Sequence, residues 1–335
     1  MPAFWRSRGW LAWMLWPLSV FFGLVVRLRR RWQQGKAKRL PVPVVVIGNV
    51  TVGGNGKTPV VMALVRALQA RGWQVGIVSG GYGGAARKAG AVCEVTAASD
   101  AAWVGDEPLL LARETGAPLW VGRDRTAAAE ALLAACPQVQ VVIADDGLQH
   151  YRLARAVEWV VMAADLGVGN GWLLPAGPLR ESAARVREAD ALLVAGEGQA
   201  ADGVDSASVP RYRLRAAALT ARRLPDGSAY HLGEEALFVL TAIARGERVT
   251  ASVQAAGGVV KDARYLPDHA DIPPQAADFA GENGRIVVTG KDAVKLDDWP
   301  QALRARVVVL DYRLELPEEL LTALEERLSR IVTMD

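Results

Sequence analysis

Lys57 and Thr58 stand at the end of a glycine-rich turn, Gly53–Gly54–Asn55–Gly56, and that setting gives them a chemistry. Upstream lies a β-branched run, Val42–Ile47, interrupted only by Pro43, and downstream a helical pattern begins. Strand, glycine turn, Lys-Thr and helix in that order are the context of a P-loop. Backbone N–H groups can wrap a phosphate only where no Cβ crowds it, and the helix start adds the positive end of its dipole. The phosphate-binding segment on this reading is Thr51, Val52, Gly53, Gly54, Asn55, Gly56, Lys57 and Thr58. Lys57 would reach the β/γ-phosphates and the Thr58 hydroxyl would ligate Mg²⁺. The strict pattern asks for glycine six residues before the lysine, where this chain has Thr51. A glycine turn that merely caps an ordinary helix is the plainer alternative.

Carboxylates supply the other half of such a site. Asp145 and Asp146 end the apolar segment Val139–Ala144, the arrangement in which a strand-end carboxylate holds the nucleotide's Mg²⁺. Asp-Gly also makes simple turns, so this signal gains its weight from the P-loop. Asp106 and Glu107, in VGDEP, suit a base and metal-shell pair, and equally the acidic first turn of a helix; spacing does not separate the two. The histidines are His150, His231 and His269, so any imidazole chemistry uses one of these. His150, in DDGLQH, either donates to the carboxylates or caps a local turn. His269, in YLPDHAD, could polarise a base, and by itself reads as a surface histidine.

The chain of 335 residues is 51% hydrophobic, enough for a large core in one large or two smaller domains. A net charge of +3 makes no global demand for nucleic acid. Cys93 and Cys136 lack metal-type spacing and read as buried, reduced thiols of a cytosolic protein.

Residues Gly9–Val26 carry no charge and are just long enough for a membrane helix, with Trp5, Trp10, Trp13 and Trp16 suited to an interfacial belt. Pro17 should kink a helix there, which weakens a spanning reading. Arg27, Arg29, Arg30, Arg31, Lys36, Lys38 and Arg39 follow, a basic cluster fitted to anionic headgroups on a cytoplasmic face. The alternative is a buried, Trp-rich core helix.

Beyond the P-loop, apolar strands at Trp73–Ser79, Leu119–Val121, Val139–Ala144, Val157–Ala163 and Ala191–Ala195 alternate with helical stretches. That alternation predicts a P-loop NTPase-like α/β fold, a mostly parallel sheet covered on both faces. Gln199–Ser208 is small and polar, a surface loop. Tyr212–Leu214 and Tyr230–Leu232, around the turn Pro225–Asp226–Gly227, predict a β-ribbon. Leu237–Ile243, Arg285–Thr289, Val307–Asp311 and a closing helix Pro317–Arg330 predict a second, smaller α/β lobe. The expected divisions are an anchor at 1–40, a P-loop core at 41–210, a ribbon linker at 211–236 and the small lobe at 237–335, with a ligand cleft between lobes.

Taken in order, GNVTVGGNGKTP (48–59), SGGYGG (79–84), VGDEP (104–108), DDGLQH (145–150), LLPAGPLRE (173–181), LPDH (266–269) and TGKDAVKL (289–296) resemble the tetraacyldisaccharide 4′-kinase family of lipid A biosynthesis. The Thr51-type P-loop is that family's usual form, and DDGxQH with LLPAGPLRE is highly specific. The resemblance implies phosphoryl transfer from ATP, with Mg²⁺, to the 4′-hydroxyl of an acylated glucosamine disaccharide 1-phosphate, giving lipid IVA at the cytoplasmic face of the inner membrane. It also implies Asp106 as catalytic base aided by His269, and Glu107, Asp145 and Asp146 in the Mg²⁺/nucleotide network. Three positions depart from the family pattern. Gly80 replaces the Arg of SRGYGG, Gly246 replaces a Pro, and Gly290 replaces a Glu. Loss of the arginine should remove a cation near the phosphates or the disaccharide phosphate.

Two other function classes fit the residues alone. A membrane-anchored ATPase or GTPase switch would need no lipid cleft; the guanine-specific Asn-Lys-x-Asp is absent, and Lys291–Asp292 lacks its Asn. A scaffold that keeps a nucleotide only for stability would need neither Asp106 nor His269.

Overall fold

The structure is a computed structural model that describes residues 2–54, 56–201, 204 and 208–333. Its strands are β1 (Val44–Gly48), β2 (Val75–Ser79), β3 (Cys93–Val95), β4 (Leu119–Val121), β5 (Val141–Asp145) and β6 (Val157–Ala163). They continue as β7 (Ala191–Ala195), β8 (Arg211–Arg223), β9 (Ala236–Thr241), β10 (Val259–Tyr265), β11 (Arg285–Thr289) and β12 (Val307–Glu315). Among the described residues they form one sheet in the order β10-β9-β11-β12-β8-β7-β6-β1-β5-β2-β4-β3. β1 lies between β5 and β6, parallel to both, at the centre of the P-loop half. Its residues are apolar and buried throughout, as a strand covered by helices on both faces requires.

The helix Lys57–Ala70 returns across this half and buries Val60, Val61, Leu64, Val65 and Leu68. Each such leucine or valine contributes about 1.5–3 kcal/mol by leaving water. Gly72, at φ 87°, lets the chain leave the helix in the left-handed region that favours glycine. The helix Arg125–Ala135 starts at Asp124, whose carboxylate accepts from Thr126 N at 3.0 Å.

The expected ribbon has a different partner. Residues Tyr230–Leu232 form no strand; instead β8 runs parallel to β7 over Arg211–Leu214 and then antiparallel to β12 over Arg215–Arg223. Non-local pairing with β12 satisfies the β8 backbone along its length, and the Pro225–Asp226–Gly227 turn retains only the bridge between Arg222 and Ala229. β8 thereby joins two sheet halves: β9–β12 on one side and β1–β7 on the other. Only part of the polar stretch Gln199–Ser208 is described, and within it Ala201 and Val204 are buried.

The N-terminal helix, Trp10–Gln34, continues through Pro17. It is not a core helix. Ala12, Ser19, Gly23 and Gln33 form its buried stripe, while Trp10, Trp13, Met14, Phe21, Leu24, Leu28 and Trp32 face outward. The helix is long and apolar enough to cross a membrane by length and composition. Cys93 and Cys136 are free thiols, half-buried rather than buried.

Candidate active site

The P-loop segment is fixed from below. Gly48 lies so close to Leu148 that a Cβ would meet its Cβ at 2.5 Å, so glycine there lets the DDGLQH segment pack against the end of β1. The buried Asn49 donates from Nδ2 to Thr51 O at 2.6 Å and accepts from Lys57 Nζ at 3.1 Å. Gln149 Nε2 donates to Asn49 O at 3.0 Å. Gly53 and Gly56 have φ of 109° and 77°, so these two positions need glycine. Asn55 lies outside the described residues. Thr58 is half-buried in the first turn of the helix Lys57–Ala70.

The segment 172–181 ties this loop to the N-terminal helix. On one side Val52 N donates to Pro178 O at 2.8 Å and Arg180 N to Val50 O at 2.7 Å. On the other, Ser19 Oγ donates to Leu173 O at 2.8 Å and accepts from Ala176 N at 2.9 Å. The Trp13 and Trp172 rings meet edge-on at 4.8 Å. These contacts give LLPAGPLRE its structural meaning.

Asp145 and Asp146 follow at the end of β5, adjacent to β1. Asp145 is buried; Ser79 Oγ donates to its Oδ2 at 2.9 Å, and its Oδ1 has no partner among the described residues. Burial, followed by the charges of Glu107 and Asp146, pushes its carboxyl up to about 6. An orphaned buried carboxylate oxygen beside the P-loop is what a hard cation would satisfy. Asp146 takes φ 47° and lies 3.4 Å from Lys57 Nζ and 3.1 Å from Arg180 Nη1. Burial would raise its carboxyl, but Lys57 and Arg180 hold it well below the usual range. No group of three or more His, Cys, Asp or Glu residues able to hold a metal occurs among the described residues.

Asp106 opens the helix Asp106–Thr115 and is buried. Its expected partner arrives from the other half of the sheet: His269 Nδ1 lies 3.0 Å from Asp106 Oδ2. His269 has φ 62° and donates its backbone N–H to Ala242 O at 3.0 Å, which folds LPDH onto the end of β9. Among the described residues, Asp146 and His269 are the non-glycine positions with positive φ, strain of about 1–3 kcal/mol each, and both belong to this site.

Two lysines of TGKDAVKL complete the cluster. Lys291 Nζ lies 3.0 Å from Glu107 Oε1 and 3.2 Å from His269 Nε2, and Lys295 Nζ lies 3.2 Å from Asp106 Oδ2. Asp292 anchors that segment by accepting from Thr241 Oγ1 at 2.6 Å and Ala242 N at 2.9 Å. Burial would raise the Asp106 carboxyl, but the His269 hydrogen bond and the Lys291 and Lys295 charges outweigh it and hold it at about 2. An ammonium can only donate, so Lys291 makes His269 Nε2 an acceptor, and Nδ1–H donates to Asp106. Glu107 is thus engaged with Lys291, and it reaches Asp145 through charge.

The sequence motifs contained Arg180, Lys291 and Lys295 without assigning them roles; only their spatial partners do so. His150 sits beside the carboxylates, and burial followed by the Arg125 charge pushes its imidazole down to about 3, so it is neutral. At position 80 the expected loss of a cation is offset in space. The guanidiniums of Arg125 and Arg87 occupy the ground a side chain would take. At Gly246 the Tyr265 ring fills the space, a Cβ falling 2.5 Å from its Cδ1, and at Gly290 Leu110 Cδ1 lies 3.2 Å from where a Cβ would be.

Comparison with known proteins identifies the family. A family model described as tetraacyldisaccharide-1-P 4′-kinase matches residues 11–329. A tetraacyldisaccharide 4′-kinase of Dichelobacter nodosus is 41% identical over 332 residues, covering 96% of this chain and 96% of that one. One from an Acidovorax species is 44% identical over 336 residues, covering 98% of this chain and 94% of that one. The crystal structure of LpxK from Aquifex aeolicus in complex with ATP superposes with a TM-score of 0.77 at 27% identity, over 96% of this chain and 99% of that one. With the P-loop fold, the motifs and the near full-length matches in agreement, the chain belongs to the tetraacyldisaccharide-1-P 4′-kinase family.

Proposed function

We propose that the chain transfers the γ-phosphoryl group of ATP to the 4′-hydroxyl of tetraacyldisaccharide 1-phosphate, the step that yields lipid IVA in lipid A biosynthesis. The observation that carries this is the 3.0 Å approach of His269 to Asp106 across the two sheet halves, beside the P-loop. A nucleotide switch or a scaffold has no use for a buried Asp–His pair held by two lysines.

Thr51–Thr58 cradles the nucleotide phosphates, and Lys57 stabilises charge on the transferring group. Thr58, Asp145 and Asp146 hold Mg²⁺, with Glu107 contributing charge; the ion, when bound, neutralises the phosphate oxygens. Asp106 accepts the proton of the 4′-hydroxyl. A carboxylate held at about 2 is a weak base, but it is ionised at every physiological pH. A loose phosphoryl-transfer transition state asks chiefly for orientation and a late acceptor for the proton. His269 orients that carboxylate, and Lys291 fixes the imidazole tautomer.

We infer that the enzyme works at the cytoplasmic face of the bacterial inner membrane, a reading supported by the outward apolar face of Trp10–Gln34 and by the exposed Arg27, Arg29 and Arg31 beside it, which suit anionic headgroups. Nucleic acid is not a partner. Segment 1–40 serves as anchor, 41–210 as P-loop core, 211–236 as linker and 237–335 as the smaller lobe that brings His269. Transfer is tested by following ATP consumption with the acylated disaccharide against ATP alone, and by mapping the new phosphate on the sugar. Lipid-dependent transfer to the 4′ position is expected. Equal hydrolysis without lipid overturns the reading in favour of a switch.

A further inference from the structure

Asn49 follows β1 directly and leads into the phosphate-binding segment, and its side chain is fully buried. A buried amide is costly unless its hydrogen bonds are made. Here Nδ2 donates to Thr51 O at 2.6 Å, and Oδ1 accepts from Lys57 Nζ at 3.1 Å. These two partners fix which end of the amide is which. A carbonyl can only accept and an ammonium can only donate, so a flipped amide would lose both bonds. The main chain of Asn49 is held as well. Gln149 Nε2 donates to its carbonyl at 3.0 Å, and Gly48 before it packs on Leu148. Asn49 is therefore fixed both by the entry to the P-loop and by the segment that carries Asp146.

Lys57 opens the helix Lys57–Ala70, and its half-buried ammonium meets Asn49 Oδ1 and, at 3.4 Å, Asp146 Oδ1. These neighbours differ in charge. Asp146 is an anion, shared with Arg180 at 3.1 Å, and on the reading above it also serves Mg²⁺. Asn49 is neutral. A carboxylate beside the ammonium cancels part of its field, whereas an amide oxygen holds it in place and leaves the positive charge whole. An ammonium carries three donors, so a phosphate oxygen can be taken up without giving up the bond to Asn49. A long lysine side chain has much rotamer freedom to lose, and a fixed acceptor moves part of that cost from the reaction to folding.

We propose that Asn49 is a positioning residue for phosphoryl transfer: it steadies the Lys57 ammonium beside the phosphate-binding turn without neutralising it. The proposal rests on the kinase reading above. The glycine turn supplies backbone N–H groups, and Asn49 keeps the side-chain cation in register with them. Its effect on the reaction passes through Lys57.

The test is single-turnover phosphoryl transfer by the full-length enzyme in detergent micelles, with ATP and the acylated disaccharide 1-phosphate, across Asn49→Ala, Lys57→Ala and the double variant. Asn49→Ala should slow transfer by ~10–100-fold, the scale of one hydrogen bond to a charged group. In the Lys57→Ala background the same change should cost less than about threefold, because its target is gone. Losses that multiply in the double variant would overturn the proposal, since a residue that only supports the fold costs the same with or without Lys57. Asn49→Ser takes the place of Asn49→Ala should the thermal midpoint show that the latter fails to fold. Asn49→Asp separates positioning from charge. It keeps an acceptor for Lys57, loses the donor to Thr51 O and adds a carboxylate, so by calorimetry it should bind ATP more weakly than Asn49→Ala. ATP binding by Asn49→Asp as tight as that of the wild type would overturn the claim that neutrality matters. Wild-type turnover or tighter ATP binding in Asn49→Ala would overturn the positioning role, by making the bond a resting contact that the nucleotide breaks. Lipid-independent hydrolysis with no transfer in the wild type would sink the kinase reading alone, and the same cycle read on hydrolysis then decides the role of Asn49. A wild type that neither transfers nor hydrolyses would overturn both.

Discussion

The imidazole of His269 and the carboxylate of Asp106 are separated by 163 residues in the chain and by 3.0 Å in space. One opens a helix beside the P-loop half of the sheet, and the other ends a loop folded onto β9. Their meeting depends on β8 and β12, whose antiparallel pairing joins the two halves. The bidentate pair of Arg113 with Asp297 and the Asp165–Arg245 pair at 2.8 Å also hold the halves together.

Asp106 links stability to pH. Its folded pKa, about 2, lies below the unfolded value, so its contribution is present above pH ~4 and is lost as pH falls toward 2. The shift corresponds to about 2 kcal/mol. Replacing both Lys291 and Lys295 by Met should move the carboxyl up and remove much of this acid-sensitive stability. Urea midpoints between pH 5 and pH 2.5 measure it. An unchanged acid limb would mean the lysines do not set the Asp106 charge.

On the proposed reading Lys57 would act on the transferring group through charge and not through folding; it is half-buried and reaches Asn49 and Asp146 by single contacts. Lys57→Ala should lower kcat by ~10²-fold or more with little change in thermal midpoint. Near-normal turnover in that variant would remove the P-loop assignment.

Asp145, whose carboxyl is shifted in the opposite direction, gives a second pH prediction, for Mg²⁺ affinity. Its carboxyl is raised to about 6 by burial first, then by Glu107 and Asp146, so a proton competes with a cation for it below that pH. Apparent affinity for Mg²⁺ should weaken by up to about tenfold per unit as pH drops below ~6. Asp145→Asn should abolish that slope as well as weaken Mg²⁺ binding. Titration calorimetry with MgATP from pH 5 to 8 reads it, and a flat profile in the wild type would show that Asp145 does not meet the ion.

Where apolar runs are continuous, the sequence carried the fold. Leu119–Val121, Val157–Ala163, Ala191–Ala195 and Arg285–Thr289 are strands with the bounds their composition marks. The edge strand β10 hid because its run VVKDARY is charged and mostly exposed, and the other edge strand, β3, because its CEV is polar at the centre and only partly buried. Pairing of β8 with β12 is a long-range choice that no local turn signal encodes. Within the site, glycine, lysine and the strand-end aspartates were legible from spacing and chemistry together. Spacing left Asp106 and His269 open, and family resemblance singled them out. The positions of Arg87 and Arg125 over Gly80, and of Lys291 on His269, emerge only when distant segments pack.

The outward face of the N-terminal helix gives a membrane prediction that spares the core. Phe21 and Leu24 are exposed, whereas Ser19 and Gly23 dock on 173–176. Phe21→Glu with Leu24→Glu should weaken binding to vesicles containing anionic lipid by about a hundredfold or more, with the thermal midpoint retained. High salt alone should not release the wild type, because apolar burial survives screening. Unchanged co-sedimentation of the double variant would place the attachment elsewhere.

Single-turnover phosphoryl transfer across the Asp106→Ala, His269→Ala and double variants tests the central claim most directly. Residues that work as a unit are non-additive. Each single change should lower the rate by ~10²-fold or more with KM for ATP little altered, and the double variant should be barely slower than the slower single. Losses that multiply independently would contradict the account, as would a silent His269→Ala.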